Sequence, residues 1–418
     1  MQKIDSINQL NWQDYIQENN LVVWGQAQSE PLTLTRHLMQ NRHRLKPFKV
    51  FLGISNYGTC QIEHTDKIQF QSYCGAGTNR LLAKEKKLDI IPNHYSTFPQ
   101  NIRADVVLIQ ISKPNALGQF SFALGQDYTA DLIKNARVVI AEVNHQLPWV
   151  YSDLLLNYSD IDVMIETNRE FEIEDNFKIS EINQSIALKV AGLIPNDSTL
   201  QIGIGSLPEA VLSALEHHKN LGIHSGIISN GVAKLMQSGV INNLKKKIDT
   251  GYTVTGLING SLDLHHFVDQ NPLVQLRSTS YTHQANVLSV IDNLVAVNSA
   301  IEVDLTGQVN AEVANGNYVG AVGGALDFIR AANQSKFGFS IIALPSSGKN
   351  FSRIVSKLNG PVSTPRSDAA FFVTEYGVAD LRGLSIAERA KKMIEIAHPD
   401  YREHLIADAK KILLFKRS

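Results

Sequence analysis

The stretch LGIHSGIISNG (221–231) concentrates Gly, Ser, His and Asn between two apolar runs and holds no carboxylate, cysteine or lysine. Those residue types suit a site loop. Hydroxyl, imidazole and amide groups can bind and polarise a ligand, and glycines let it approach the backbone. A second stretch, TLQIGIGSLPEAVLSAL (199–215), reads as a strand that ends at Gly203 and Gly205 and turns at once into a helix, with Ser206 and Glu209 in capping-box spacing. A helix that starts this abruptly presents unpaired N–H groups and the positive end of its dipole, which suits an anion or a developing oxyanion. Glycines that serve only a tight strand-to-helix turn explain the same spacing. GAVGGALDF (320–328) sets Gly323 and Gly324 before another apolar helix, either as a plain turn or as a second backbone donor. Glu375 ends AAFFVTE (369–375), and the carboxyl ends of strands are where α/β folds bind ligands; a capping or ion-paired surface Glu fits equally.

Sharper motifs fail. Pro208 stands where a dinucleotide fingerprint needs its third glycine, and PSSGKNFS (345–352) lacks both the earlier glycine and the Ser or Thr after Lys349 that a P-loop requires. GISNYG (53–58) is not a nucleophile elbow. The histidines form no HExxH, and the pairs His217–His218 and His265–His266 are adjacent and project apart, so no metal is expected.

The elements that must position these residues alternate. Short β-branched runs at 22–25, 48–54, 105–112, 136–143, 199–205, 226–229, 253–258, 294–301, 340–345 and 369–375 are separated by longer helical patterns. Most runs are apolar throughout, as in strands covered by helices on both faces, so the fold class is α/β with largely parallel sheets. At 418 residues the chain exceeds one ordinary core, and the polar, acidic segment 166–181 marks a boundary between domains at 1–177 and 178–418. Lys and Arg number 39 against 40 acidic residues, so no overall field draws nucleic acid or an anionic membrane, and a polyanionic ligand must be held locally. The N-terminus MQKIDSINQLNWQDY has no apolar signal region, and two cysteines, Cys60 and Cys74, make no disulfide framework; a reduced cytoplasm is the expected location.

Taken in order, TLQIGIGSLPEAV, LGIHSGIISNG, LVAVNSAIEVDLTGQVNAE, YVGAVGGALDFIR, IIALPS, SRIV, VTEYGVADLRG and ERAKKMIEIAHPDYR resemble the successive blocks of the acetyl-CoA hydrolase/transferase family, which includes 4-hydroxybutyrate and butyryl-CoA:acetate CoA-transferases. SEPLTL (29–34), VLIQISKPNALGQFSF (107–122) and VIAEVNHQLP (139–148) are similar more loosely, so the resemblance covers nearly the whole chain. It implies two related CoA-transferase α/β domains with the active site between them, an acyl-CoA and a small carboxylate as partners, CoA thioester as substrate with no further cofactor, and a homo-oligomer.

In the transferases this resembles, the loop reads His-Ser-Glu and the glutamate attacks the thioester. Gly226 occupies the matching position here, Asn230 stands where Asp is common, and His283 falls where an Asn lies near the CoA chain. The resemblance further implies backbone oxyanion donors at Ile204 and Gly324, a CoA-proximal carboxylate at Glu375, and CoA contacts at Gly323, Gly324, Lys349 and Arg353. With the nucleophile absent, Gly226 is expected to clear space for water or an acceptor carboxylate to attack directly, with Glu375, Asp327 or His224 as base. The alternatives are a relocated carboxylate such as Glu30, or an acyl-CoA-binding protein without turnover.

Overall fold

The computed structural model describes residues 1–172 and 178–411. The boundary expected at residue 177 falls on 173–177, outside the described residues. Two large sheets organise the chain. The first contains β1 (Gln2–Ile4), β2 (Leu21–Trp24), β3 (Phe48–Leu52), β4 (Ile68–Ser72), β5 (Leu88–Ile90), β6 (Val106–Ile111), β7 (Val138–Asn144) and β9 (Val163–Thr167), and every pairing in it is parallel.

The second sheet begins at its outer edge with β8 (Tyr151–Ser152), contributed by the N-terminal half, and continues through residues from the C-terminal half. Its other strands are β10 (Thr199–Ile202), β11 (Gly222–Ile228), β12 (Thr253–Ile258), β13 (Val274–Leu276), β14 (Leu294–Ser299), β15 (Phe339–Ala343), β16 (Phe371–Thr374) and β17 (Gly377–Asp380). Their spatial order is β17-β16-β15-β14-β10-β11-β12-β13-β8, parallel except for the terminal β16–β17 pair.

Composition accounts for this layering. All residues of β6, β7 and β12 are buried, as expected when helices cover both faces of a parallel strand. One continuous core joins the halves, with Phe51, Phe98 and Tyr128 in the same apolar cluster as Ile186, Val211 and Ile223. Hydrogen bonds cross the junction as well: Ile258 N–H donates to Leu124 O (2.8 Å), and Gln28 both donates to Gly260 O (2.8 Å) and accepts from its N–H (2.9 Å).

Three local expectations differ from what forms. Residues 221–231, read as a site loop, are mostly strand β11, because their polar groups find partners inside the sheet: Ser225 Oγ donates to Ile202 O (2.9 Å), and His224 Nε2 meets Thr282 O (3.1 Å). Ser206 and Glu209 do not cap a helix. Gly205 is the N-cap, and Ser206 is the first helical residue, its Oγ accepting from Asn183 Nδ2 (3.0 Å). Strands β4 and β9 escape the sequence reading because IQFQS and VMIET interrupt apolar runs with polar residues. The Ser385–Glu388 pair does form a reciprocal capping box. Both cysteines are free and buried, and no helix among the described residues is long and apolar enough to cross a membrane.

Lys246 secures the start of β11 from inside. Its buried Nζ donates to Ile223 O (2.9 Å) and Tyr252 O (2.7 Å), and burial lowers its pKa to about 7 against a partial opposing pull from Asp249. An unfolded lysine holds its proton to about 10.4, so between pH 7 and 10 the unfolded chain binds more protons and stability rises with pH. Urea midpoints at pH 7 and 9.5 should therefore show a rise from this residue that is missing in Lys246→Met. Equal pH responses in the two proteins would exclude a strained buried ammonium.

Candidate active site

The carboxyl edge of the second sheet assembles the site from two abrupt helix starts. After β10 the chain turns through Gly203–Gly205 into helix α1 (Ser206–Ala214), with Gly205 at φ 122°, where an L side chain is strained. The second start lies on the far side of α2 (Thr279–Thr282) in sequence: Gly323 takes φ 55°, and Gly324 caps helix α3 (Ala325–Gln334). Neither Ile204 nor Gly324 donates its N–H to a protein acceptor among the described residues. Each helix thus offers free donors and a positive dipole end at the same edge.

His283 stands between Gly226 on β11 and Gly324 at the start of α3. It follows α2 directly, is only 6% exposed, and packs its ring 4.7 Å from Tyr95 and 4.8 Å from Phe328, centroid to centroid. A Cβ added at Gly226 would lie 2.8 Å from His283 Cε1 and 3.0 Å from Nε2; one added at Gly324 would lie 2.5 Å from both Cδ2 and Nε2. The imidazole therefore needs glycine on both sides. Thr282 Oγ1 lies 3.2 Å from Ser278 O and 2.8 Å from His283 Nδ1; with its proton donated to Ser278 O it accepts Nδ1–H, the tautomer in which Nε2 keeps its lone pair towards the glycines. Burial lowers the His283 pKa to about 3, so the ring is neutral through the ordinary pH range.

Other residues singled out from sequence are placed as follows. Gly226 does lie half-exposed on β11, and the His283 ring sits where a side chain at this position would begin, which a sequence cannot reveal. Gly324 has φ −92°, so its need for glycine comes from that ring, whereas the left-handed position is Gly323. His224 is fully buried; its Nε2 is committed to Thr282 O, and its pKa is pushed down to about 3 by burial and then by Lys246. Asp327 accepts from Ser96 N (3.1 Å) and Ser96 Oγ (2.8 Å), which makes it a clamp between the halves. Glu30 is buried in the N-terminal half, held by Thr35 Oγ1 (2.9 Å), with its pKa raised by burial.

Glu375 follows β16, four strands along the sheet from β11, a separation of about 19 Å at ~4.8 Å per strand. Its carboxylate accepts from Ser346 N (2.9 Å) and Ser346 Oγ (2.7 Å). Arg353 lies beside it, with a buried Nε that has no partner and a pKa lowered by burial against the pull of Glu375. Lys349 is exposed on the same loop. Arg353 also lines a cavity of about 860 Å³ with Phe351, Lys357, Tyr401 and the hairpin that precedes Gly320. Among the described residues no cluster of His, Cys, Asp and Glu could hold a metal ion. Sequence reasoning missed Thr282 and Phe328, and took Tyr95 only as a possible acyl-pocket or core aromatic. Only the adjacency of Thr282 to His283 offered a signal, and the two aromatic contacts come from distant segments.

The sequence and the fold have counterparts. The acetyl-CoA hydrolase/transferase N-terminal domain matches residues 2–173, and the acetyl-CoA hydrolase/transferase C-terminal domain matches residues 260–409. The chain is 36% identical over 409 residues to 4-hydroxybutyrate coenzyme A transferase of Clostridium kluyveri, covering 95% of each. Its structure is similar to RipA from Yersinia pestis, with a TM-score of 0.90 and 29% identity over 96% of both chains. The 4-hydroxybutyrate CoA-transferase from Porphyromonas gingivalis gives a TM-score of 0.80 and 33% identity over 95% of both.

Competition between ring and glycine can be measured as a coupling. Gly226→Val should destabilise by about 1–3 kcal/mol through overpacking against His283, and far less in a His283→Ala background. A coupling below ~0.5 kcal/mol in denaturant titrations of the four proteins would show that the two positions do not compete.

Proposed function

The chain belongs to the acetyl-CoA hydrolase/transferase family and is an enzyme of CoA thioesters; within that scope we propose that it cleaves a short-chain acyl-CoA at the notch between Ile204, Gly226 and Gly324, delivering the acyl group to water or a small carboxylate. The observation that carries this reading is the pair of free backbone donors at two helix starts that share one strand edge. A thioester carbonyl gains negative charge on oxygen as it is attacked, and two preorganised N–H groups stabilise that charge without reorganising. Loss of one such donor typically costs two to three orders of magnitude in rate.

The rest of the substrate follows the sheet edge. A CoA nucleotide would carry its phosphates to Arg353 and Lys349, where the unpartnered buried Nε of Arg353 supplies a charge-assisted donor in want of an acceptor. The neighbouring cavity, with Phe351 and Tyr401 on its walls, is of a size to take the nucleotide end. Glu375, bound to Ser346, positions the loop that bears both cations rather than acting on the thioester.

Millimolar CoA or acetyl-CoA should raise the melting temperature, as a ligand at 100 times its Kd adds about 2.7 kcal/mol. Arg353→Glu should weaken CoA binding at least tenfold in calorimetry while leaving the unliganded fold intact. Absence of any melting shift with CoA species would overturn the assignment, and an unchanged Kd in the variant would return Arg353 to a structural role.

A further inference from the structure

The reading of this site as one for CoA thioesters leaves open which group moves the proton, and the inference here rests on that reading. At the notch, Ile204 and Gly324 present N–H donors, and Gly226 adds no side chain. His224 and Asp327 are committed elsewhere. Tyr95 faces His283 with its ring, while its hydroxyl is engaged by Gln26 Nε2 (2.5 Å). One lone pair remains. His283 Nε2 is on a side chain more than nine-tenths buried, makes no hydrogen bond among the described residues, and is wedged against the two glycines that flank the notch.

From this geometry we infer that His283 Nε2 is the proton acceptor for a water that attacks the thioester, so that water is the acceptor this chain uses. As the water oxygen bonds to the acyl carbon, its proton passes to Nε2 and the carbonyl oxygen takes up charge at the Ile204 and Gly324 N–H groups. When the carbonyl re-forms, the C–S bond breaks, its electron pair stays on sulfur, and the imidazolium returns the proton to the thiolate. Water and acyl-CoA give carboxylic acid and CoA thiol, with the imidazole regenerated and no covalent intermediate. Thr282 has the positioning role, because by accepting from Nδ1–H it fixes the tautomer that leaves Nε2 free. Burial keeps Nε2 unprotonated before attack.

The experiment follows CoA release from acetyl-CoA and butyryl-CoA by a thiol reagent, with and without added acetate, alongside the CoA-induced melting shift. Wild-type protein should release CoA without acetate, slow about twofold or more in D2O, and place one atom of ¹⁸O from labelled water in the acid. His283→Asn should lose at least 100-fold in kcat, within the 10²–10⁴ that general-base catalysis supplies, while keeping the melting shift. CoA release that strictly requires a carboxylate, no solvent isotope effect, or full activity in His283→Asn would each overturn the inference and leave the CoA-thioester reading standing. A wild-type protein that neither shifts with CoA nor cleaves any ester would sink the reading itself. The isotope and labelling measurements use wild type alone, so poor folding of the variant would not shield the proposal.

Discussion

The loop 320–324 is strapped down by the opposite half of the molecule. Gly75 N–H donates to Gly320 O (2.9 Å), Tyr95 N–H to Gly323 O (3.0 Å), and Ser96, through N–H and hydroxyl, to Asp327 in the first turn of α3. These bonds come from one short N-terminal segment and its neighbour, and the same segment delivers the Tyr95 ring to His283. Position of the donor, position of the imidazole and contact between the halves are therefore one geometric fact. A shared apolar core lies behind the straps. Preformed donors are what oxyanion stabilisation requires, since their cost is met during folding rather than at the moment of reaction.

Charge at this edge is one-sided. Two helix N-termini contribute partial positive potential, His224 and His283 are held neutral by burial, and the carboxylates of Asp327 and Glu375 are turned to Ser96 and Ser346. Further along the same edge Arg353 and Lys349 extend the positive field, so an elongated polyanion can lie along the sheet although the chain as a whole is nearly neutral. Local arrangement rather than net charge selects the ligand.

Much of this was legible in the sequence where a local rule governs. Uninterrupted apolar runs placed four of the eight strands of the first sheet and six of the nine of the second, because burial on both faces leaves no polar alternation; the glycines at 205, 323 and 324 marked the two helix starts, because the turns demand close approach or positive φ. Non-local choices stayed hidden. IHSG in β11 looked like a loop because its polar groups are satisfied by partners about twenty residues upstream and nearly sixty downstream. The capping box at Ser206 failed since the extended Gly205 already ends the turn, whereas the identical spacing at Ser385 formed, with no glycine to pre-empt it. Glu375 carried a plausible position at a strand end, but only sheet order reveals that three strands lie between it and Gly226.

Gly226 and His283 are best understood as one device. A side chain on β11 at this point and a ring after α2 compete for the same volume: with a Cβ at 226, the imidazole would have to retreat by several tenths of an ångström from a packed seat between Tyr95 and Phe328. Removing the β11 side chain without enlarging residue 283 would leave a void beside two desolvated N–H donors, and filling it with an apolar ring would leave no group able to accept a proton. Imidazole satisfies both constraints. It supplies the packing volume, its Nδ1–H is consumed by Thr282, and its remaining lone pair emerges between the glycines. Glycine at 226, like glycine at 324, is in packing terms the condition for the imidazole to keep its seat between Tyr95 and Phe328.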